Sequence, residues 1–206
     1  MPVDHLALAL AVTVRHDGHG GVADDLADPD GLTAWLRQHT GALAEYGFAD
    51  GGAAADPAML AAAVAVRTAL RALFARAVLP GAPSKADAGR LPDAGTALDG
   101  LNTAAARVPV THRLLWPAGG APLGGYRVAR DHTRADLLAA ALARAGMAFL
   151  TSPDRTRLRA CPAPRCVRYF VQAHARQEWC KPSCGNRARV ARHHARHRDQ
   201  PTDSPG

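Results

Sequence analysis

With 206 residues the chain has room for one full domain and a small appendage, and its 48% apolar but only 5% aromatic content argues against a long all-β architecture. Residues 1–154 carry 13 Lys+Arg against 15 Asp+Glu, a formal −2, whereas residues 155–198 carry 12 basic residues against Glu178 alone, a formal +11. Such a local basic block suits a polyanionic partner, nucleic acid first, with a solvated or charge-compensating surface as the alternative.

The first apolar run, residues 6–14, is nine residues long, less than half the roughly 20 that a membrane span needs. Asp4 and His5 precede it and Arg15-His16-Asp17 follow it, the wrong flanks for a secretory signal, so no membrane partner and a cytoplasmic location are expected. Its leucines alternate with alanine, a period of two that predicts a strand before the glycine-rich turn at 18–21. Asp28-Pro29 then offers an N-cap followed by a proline in the first turn, and Leu32, Trp35 and Leu36 share the face of a helix running to about Thr40. Asp56-Pro57 repeats the signal ahead of Met59, Ala63, Val66, Leu70, Leu73 and Ala77, the stripe of a long helix ending before Pro80. Residues 80–83 and Pro92 break the chain, and Asp93 is placed to cap a helix whose Leu98, Leu101 and Ala105 would face the core.

Residues 110–116 and 123–128, separated by a Pro- and Gly-containing turn, predict a hairpin able to pair with the N-terminal strand. Leu138, Ala141, Leu142, Ala145 and Phe149 stripe one more helix, closed by Ser152-Pro153-Asp154. The expected fold class is α+β: residues 1–152 form a mainly helical domain with a small antiparallel sheet, residues 153–198 a zinc finger, and residues 199–206 a disordered polar tail.

Four cysteines fall within 24 residues as Cys161-x4-Cys166, thirteen intervening residues, then Cys180-x3-Cys184. Two short chelating loops joined by a segment long enough to fold back can bring four thiolates to one point. Zinc, ahead of disulfides or an iron–sulfur centre, suits such a set: it takes four ligands tetrahedrally and does no redox chemistry. A closed four-sulfur shell makes that ion structural. The first pair sits in a proline-punctuated knuckle followed by a short strand over 167–171, and the second pair opens a helix over 188–198. Knuckle, hairpin and a helix donating the last ligand describe a treble-clef-like finger, with Tyr169, Phe170, Trp179 and Val190 available for a minimal core.

Arg176-Gln177-Glu178-Trp179-Cys180 followed by Cys184-Gly185-Asn186-Arg187 resembles the CGNR-type zinc finger. Asp24-Asp25-Leu26, Asp28-Pro29, Trp35-Leu36 and the stretch from Thr151-Ser152-Pro153-Asp154 to Arg159-Ala160-Cys161 are similar to the ABATE domain that precedes that finger in bacterial proteins. The resemblance implies a stress-induced transcription regulator whose N-terminal domain senses a small-molecule effector; no residue marks the ligand. The chain departs from the family where the first strand often carries Asp and ends in Asn-Thr: here stand Ala9 and Val12-Thr13.

At 100° per residue, Arg189, Arg192, His193 and Arg196 lie within an arc of about 100° on the last helix, with Val190 turned to the finger core. Arginine donates to phosphate and reaches guanine edges bidentately, so DNA, ahead of RNA, is the expected partner. Arg187, beside Cys184, has two readings: a nucleic-acid contact, or compensation of the zinc–thiolate charge. One finger is a small footprint, so useful specificity would call for a homodimer. His5, His16, His19, His39, His112, His132 and the scattered aspartates fall into no catalytic motif, and no enzyme activity is expected.

Overall fold

The structure, a computed structural model, describes residues 5–198 except 20, 51, 88 and 130, with side chains through residue 196. The expected tail, residues 199–206, lies outside the described residues.

The first element differs from the strand expected over residues 6–14. It is a helix, α1 (Leu6–Ala11), and only then does a short strand follow, β1 (Val14–His16), paired antiparallel with β2 (Val22–Asp24). Alternating Leu and Ala satisfies both periods, and both residues are strong helix formers. Leu6, Ala7, Leu10 and Ala11 bury on one helical face. β-branched residues arrive only at Val12-Thr13-Val14, where the extended backbone begins.

The helix starts are where the caps place them. Asp28 accepts from the Gly31 N–H at 2.7 Å and opens α2 (Pro29–Gln38), which a short α3 (Thr40–Glu45) follows. Asp56 accepts from Met59 N–H at 2.8 Å and opens α4 (Pro57–Ala77), while Asp93 accepts from Gly95 and Thr96 and opens α5 (Ala94–Ala106). Thr133 and Asp136 exchange hydrogen bonds at the start of α6 (Arg134–Thr151). Each cap stabilises its helix by about 1 kcal/mol. The face of α5 is rotated from expectation: Ala97, Leu101 and Ala104 are buried and Leu98 is 49% exposed.

Helices α4, α5 and α6 form the centre of the domain and α1 packs on it. Gly146 lets α6 pack tightly on α4 and α5: a Cβ there would meet Leu70 Cδ1 at 3.2 Å and Leu101 Cδ1 at 3.5 Å. By length and mean hydropathy (1.6) α4 could cross a membrane. It is instead this domain's core helix, and it carries two buried arginines. Arg67 donates to both oxygens of Asp24 (2.5 and 2.6 Å) and to Thr13 Oγ1 (2.9 Å); Arg71 donates to Asp87 Oδ1 (2.8 Å) and the Ala11 carbonyl (2.6 Å).

The expected hairpin is present as β3 (Val110–Leu115) and β4 (Leu123–Val128), from Val110↔Val128 to Leu115↔Leu123. Its expected pairing with the N-terminal strand does not form. β1 spends its hydrogen bonds on β2, and the described strands make three separate two-stranded ribbons. The third ribbon, β5 (Leu158–Ala160) with β6 (Tyr169–Val171), follows a 3-10 turn at Pro153–Arg157, and α7 (Pro182–Arg198) ends the described chain.

Packing runs straight across residue 152. Leu158 and Tyr169, both at most 1% exposed, belong to the same apolar core as α4 and α6. The Tyr169 ring meets Phe74 edge-on at 5.5 Å, with the Arg71 guanidinium over it at 5.3 Å. Its hydroxyl donates to Asp87 Oδ2 (2.6 Å) and accepts from Ser84 N–H (3.3 Å), while Ser84 Oγ donates to the Val167 carbonyl (2.8 Å).

Candidate metal centre and nucleic-acid interface

The first cysteine pair is shaped by backbone hydrogen bonds. Cys161 N–H donates to the Arg168 carbonyl (2.9 Å) and Cys166 N–H to the Ala163 carbonyl (3.1 Å), with Arg165 at a left-handed φ of 61° just before Cys166. The second pair lies at the start of α7, which begins at Pro182, ahead of the helix expected over 188–198, so Cys184 sits in its first turn, its N–H on the Lys181 carbonyl (3.0 Å). Between the pairs, Gln177 ties the loop together. It accepts from Ala173 N–H (2.7 Å) and donates to the Trp179 carbonyl (3.1 Å), while Gln172 donates to its carbonyl (2.8 Å). Gly185 packs tightly on the indole: a Cβ there would lie 3.0 Å from Trp179 Cδ1, so the ring would have to shift.

The four sulfurs converge within 4.8 Å of one another, and none is in a disulfide. Cys166 Sγ and Cys180 Sγ are 3.8 Å apart, Cys180 and Cys184 3.5 Å. A tetrahedron with metal–sulfur bonds of about 2.3 Å has edges of about 3.8 Å, so the donor set fits zinc. Cys161, Cys166 and Cys180 resist ionising side by side on their own. Hydrogen bonds from Cys166 and Cys180 hold Cys161 well below the usual thiol range, whereas hydrogen bonding to Cys161 pushes Cys166 and Cys180 above it. A central dication favours all four as thiolates.

The expected finger core is corrected at two positions. Phe170 and Trp179 pack on the cysteines, but Tyr169 belongs to the N-terminal core and Val190 is 55% exposed. The buried face of α7 is Cys184, Gly185 and Ala188, which places Val190 about 200° from Ala188 on the helix.

Arg189, Arg192, His193 and Arg196 are all exposed and line one shallow groove along α7. Arg189 donates to Asn186 Oδ1, and the His193 and His194 rings meet edge-on at 6.0 Å. Arg187 is turned away from that groove and donates from Nη2 to Cys184 Sγ at 3.2 Å. A cation there offsets the charge of a zinc tetrathiolate.

The N-terminal histidines serve packing and turns. His5 pairs with Asp154 (2.6 Å) against Phe149, and the rings of His39 and His112 pack at a tilt against Trp35 and Tyr126. His16 Nδ1 accepts from Gly18 N–H, and Asp131 and His132 line a surface cleft ahead of α6. Sequence reasoning missed the buried set Arg71, Ser84, Asp87 and Tyr169; its only local signal is a pair of arginines four residues apart in an apolar helix.

A family model for ABATE, described as "Putative stress-induced transcription regulator", matches residues 4–153, and one for the CGNR zinc finger matches residues 157–197. No curated protein matches the chain. The finger match and the four converging thiols together establish one structural zinc ion. Its shell is complete with protein sulfur, so its contribution is folding energy rather than catalysis. With well over half of its length under the first model, the chain belongs to the ABATE family and carries a CGNR zinc finger at its C-terminal end.

Proposed function

We propose that the protein is a non-catalytic transcription regulator of the bacterial cytoplasm, active in stress responses, that binds DNA through the outer face of α7. The carrying observation is that Arg189, Arg192, His193 and Arg196 are exposed together on the helix whose first turn supplies Cys184. Zinc fixes the helix, and its cations neutralise backbone phosphates, releasing counterions. Arg187, committed to Cys184, acts in this reading through the metal site rather than on DNA. The N-terminal domain would sense a small-molecule effector, and binding as a homodimer would enlarge a one-finger footprint.

A salt-titrated duplex-binding assay comparing wild type with an Arg189→Ala, Arg192→Ala, Arg196→Ala variant tests the reading. The variant should bind weaker at low salt, with the log K against log [salt] slope shallower by up to about 0.9 for each phosphate that it no longer neutralises. Equal binding by both proteins at every salt concentration overturns it.

A second reading, a zinc-stabilised protein-interaction module that does not bind DNA, is favoured by one feature. The tip of the β3–β4 hairpin exposes Leu114 (68%), Trp116 (70%) and Leu123 (56%), an apolar set of the kind found at protein contacts.

A further inference from the structure

Between the β1–β2 ribbon and the finger lies a cavity of about 300 Å³ whose wall includes Arg15, His16, Arg168, Lys181 and Arg187, together with the zinc ligand Cys166, and no carboxylate. His16 fixes the position of a proton there. Its Nδ1 accepts the Gly18 N–H at 2.8 Å, so the neutral ring carries hydrogen on Nε2. That Nε2 is buried without a hydrogen-bond partner, and so are Nε of Arg168 and Nε of Arg187. Five basic side chains around one cavity, with no carboxylate among its lining residues, form an arrangement that an acceptor-rich anionic ligand would relieve.

The neighbouring negative charges leave these donors unsatisfied. Arg187 spends a terminal nitrogen on Cys184 Sγ, and Arg15 pairs with Asp25 at 2.5 Å. Among the described residues, no ion pair or side-chain hydrogen bond engages Arg168 or Lys181. The wall is therefore predominantly cationic even after Cys166, the other zinc thiolates and Asp25 are taken into account.

We propose that this cavity binds a phosphate group. A tetrahedral oxyanion offers several acceptors to the basic side chains that line the cavity, and the guanidinium fork suits it. The volume exceeds what a bare oxyanion fills, so the group belongs to a larger molecule: a free phosphate monoester or a backbone phosphate of nucleic acid. The site joins the first ribbon of the ABATE domain to both cysteine pairs of the finger. An anion there draws Arg15 and His16 toward Arg168 and Lys181 and steadies α7 from its inner side. It is separate from the outer groove of α7 and does not rest on the DNA reading.

The test is calorimetric titration of the full zinc-loaded protein with inorganic phosphate, against chloride at matched ionic strength. Saturable binding is expected, weakened at least tenfold by His16→Leu with Arg168→Gln and severalfold by Arg15→Ala with Lys181→Ala, whose residues are exposed. The Arg189→Ala, Arg192→Ala, Arg196→Ala variant should bind phosphate as wild type does, so the DNA reading can fail while this one stands. Zinc content close to one per chain confirms that each variant is folded. If the phosphate belongs to nucleic acid, inorganic phosphate does not saturate, yet Arg15→Ala with Lys181→Ala makes the duplex salt slope shallower by about 0.9 per phosphate. Absence of both saturable phosphate binding and any change in salt slope overturns the site.

Discussion

Tyr169 is the residue on which both parts of the chain meet. Its hydroxyl gives Asp87 a hydrogen bond at 2.6 Å, and the same carboxylate takes one from Arg71 on its other oxygen. Burial, then the hydrogen bond to Asp87, pushes the phenol above its ordinary range, so it remains a donor at physiological pH. Tyr169→Phe keeps the ring on Phe74 but leaves Asp87 one donor short; a cost of about 1–3 kcal/mol is expected, read as a lower urea midpoint with unchanged m-value. Asp24 gives a pH-dependent counterpart. Burial would raise its pKa, but the Arg67 hydrogen bonds, the Leu26 N–H and the charges of Arg67 and Arg71 together outweigh it, and the net shift is downward from 3.8. A carboxylate with a depressed folded pKa contributes stability that is present above the unfolded value and lost as pH falls through the folded one. Denaturation curves should therefore weaken with acid below about pH 4, and Asp24→Asn should flatten that part of the profile.

At the scale of elements, α7 depends on zinc more than any other helix here. Its buried face is only Cys184, Gly185 and Ala188, and beyond Arg187 it presents mostly solvated cations. Structural zinc supplies on the order of 10 kcal/mol in comparable small modules. Chelation is therefore expected to melt α7 and release Trp179, seen as lost helical circular dichroism and altered fluorescence. β5–β6 should stay docked, because Leu158 and Tyr169 are held by α4 and α6. Zinc retention should also fall with acid, since four thiols must lose their protons to bind it. What could be read in the sequence follows the same division. The starts of α2, α4 and α5 were legible because an Asp cap acts within three residues, and the metal quartet because chelation imposes short spacings. The helical state of α1 was not, since Leu-Ala alternation fits two periods. Nor was the exposure of Val190, because the helix expected over 188–198 in fact begins at Pro182, and its phase is fixed by the burial of Cys184 and Ala188. Tyr169 and Asp87 are separated by 82 positions, and a contact that distant leaves no local pattern.

In the whole molecule the finger is an extension of the core rather than a bead on a linker. The loop after α4 holds it at several points: Ser84 and Asp87 grip Val167 and Tyr169, and Lys85 donates to the carbonyls of Pro162 (3.3 Å) and Ala163 (2.9 Å) inside the knuckle. Docking that stabilises one part stabilises the other by the same free energy. A chain cut after residue 152 loses Leu158 and Tyr169 from its core, each contributing about 1.5–3 kcal/mol of apolar burial, and deprives Asp87 of a donor. Residues 1–152 should thus unfold at a clearly lower urea concentration than residues 1–172, by roughly 3–6 kcal/mol in extrapolated stability. Removing the rest of the finger from the full chain should cost the N-terminal core far less, because little beyond Val171 enters it. Comparable stability for 1–152 and 1–172 would mean that the ribbon merely leans on the domain. A deficit confined to the shorter fragment would show that a finger which loses its metal remains tethered through β6, poised to refold its helix on the same platform.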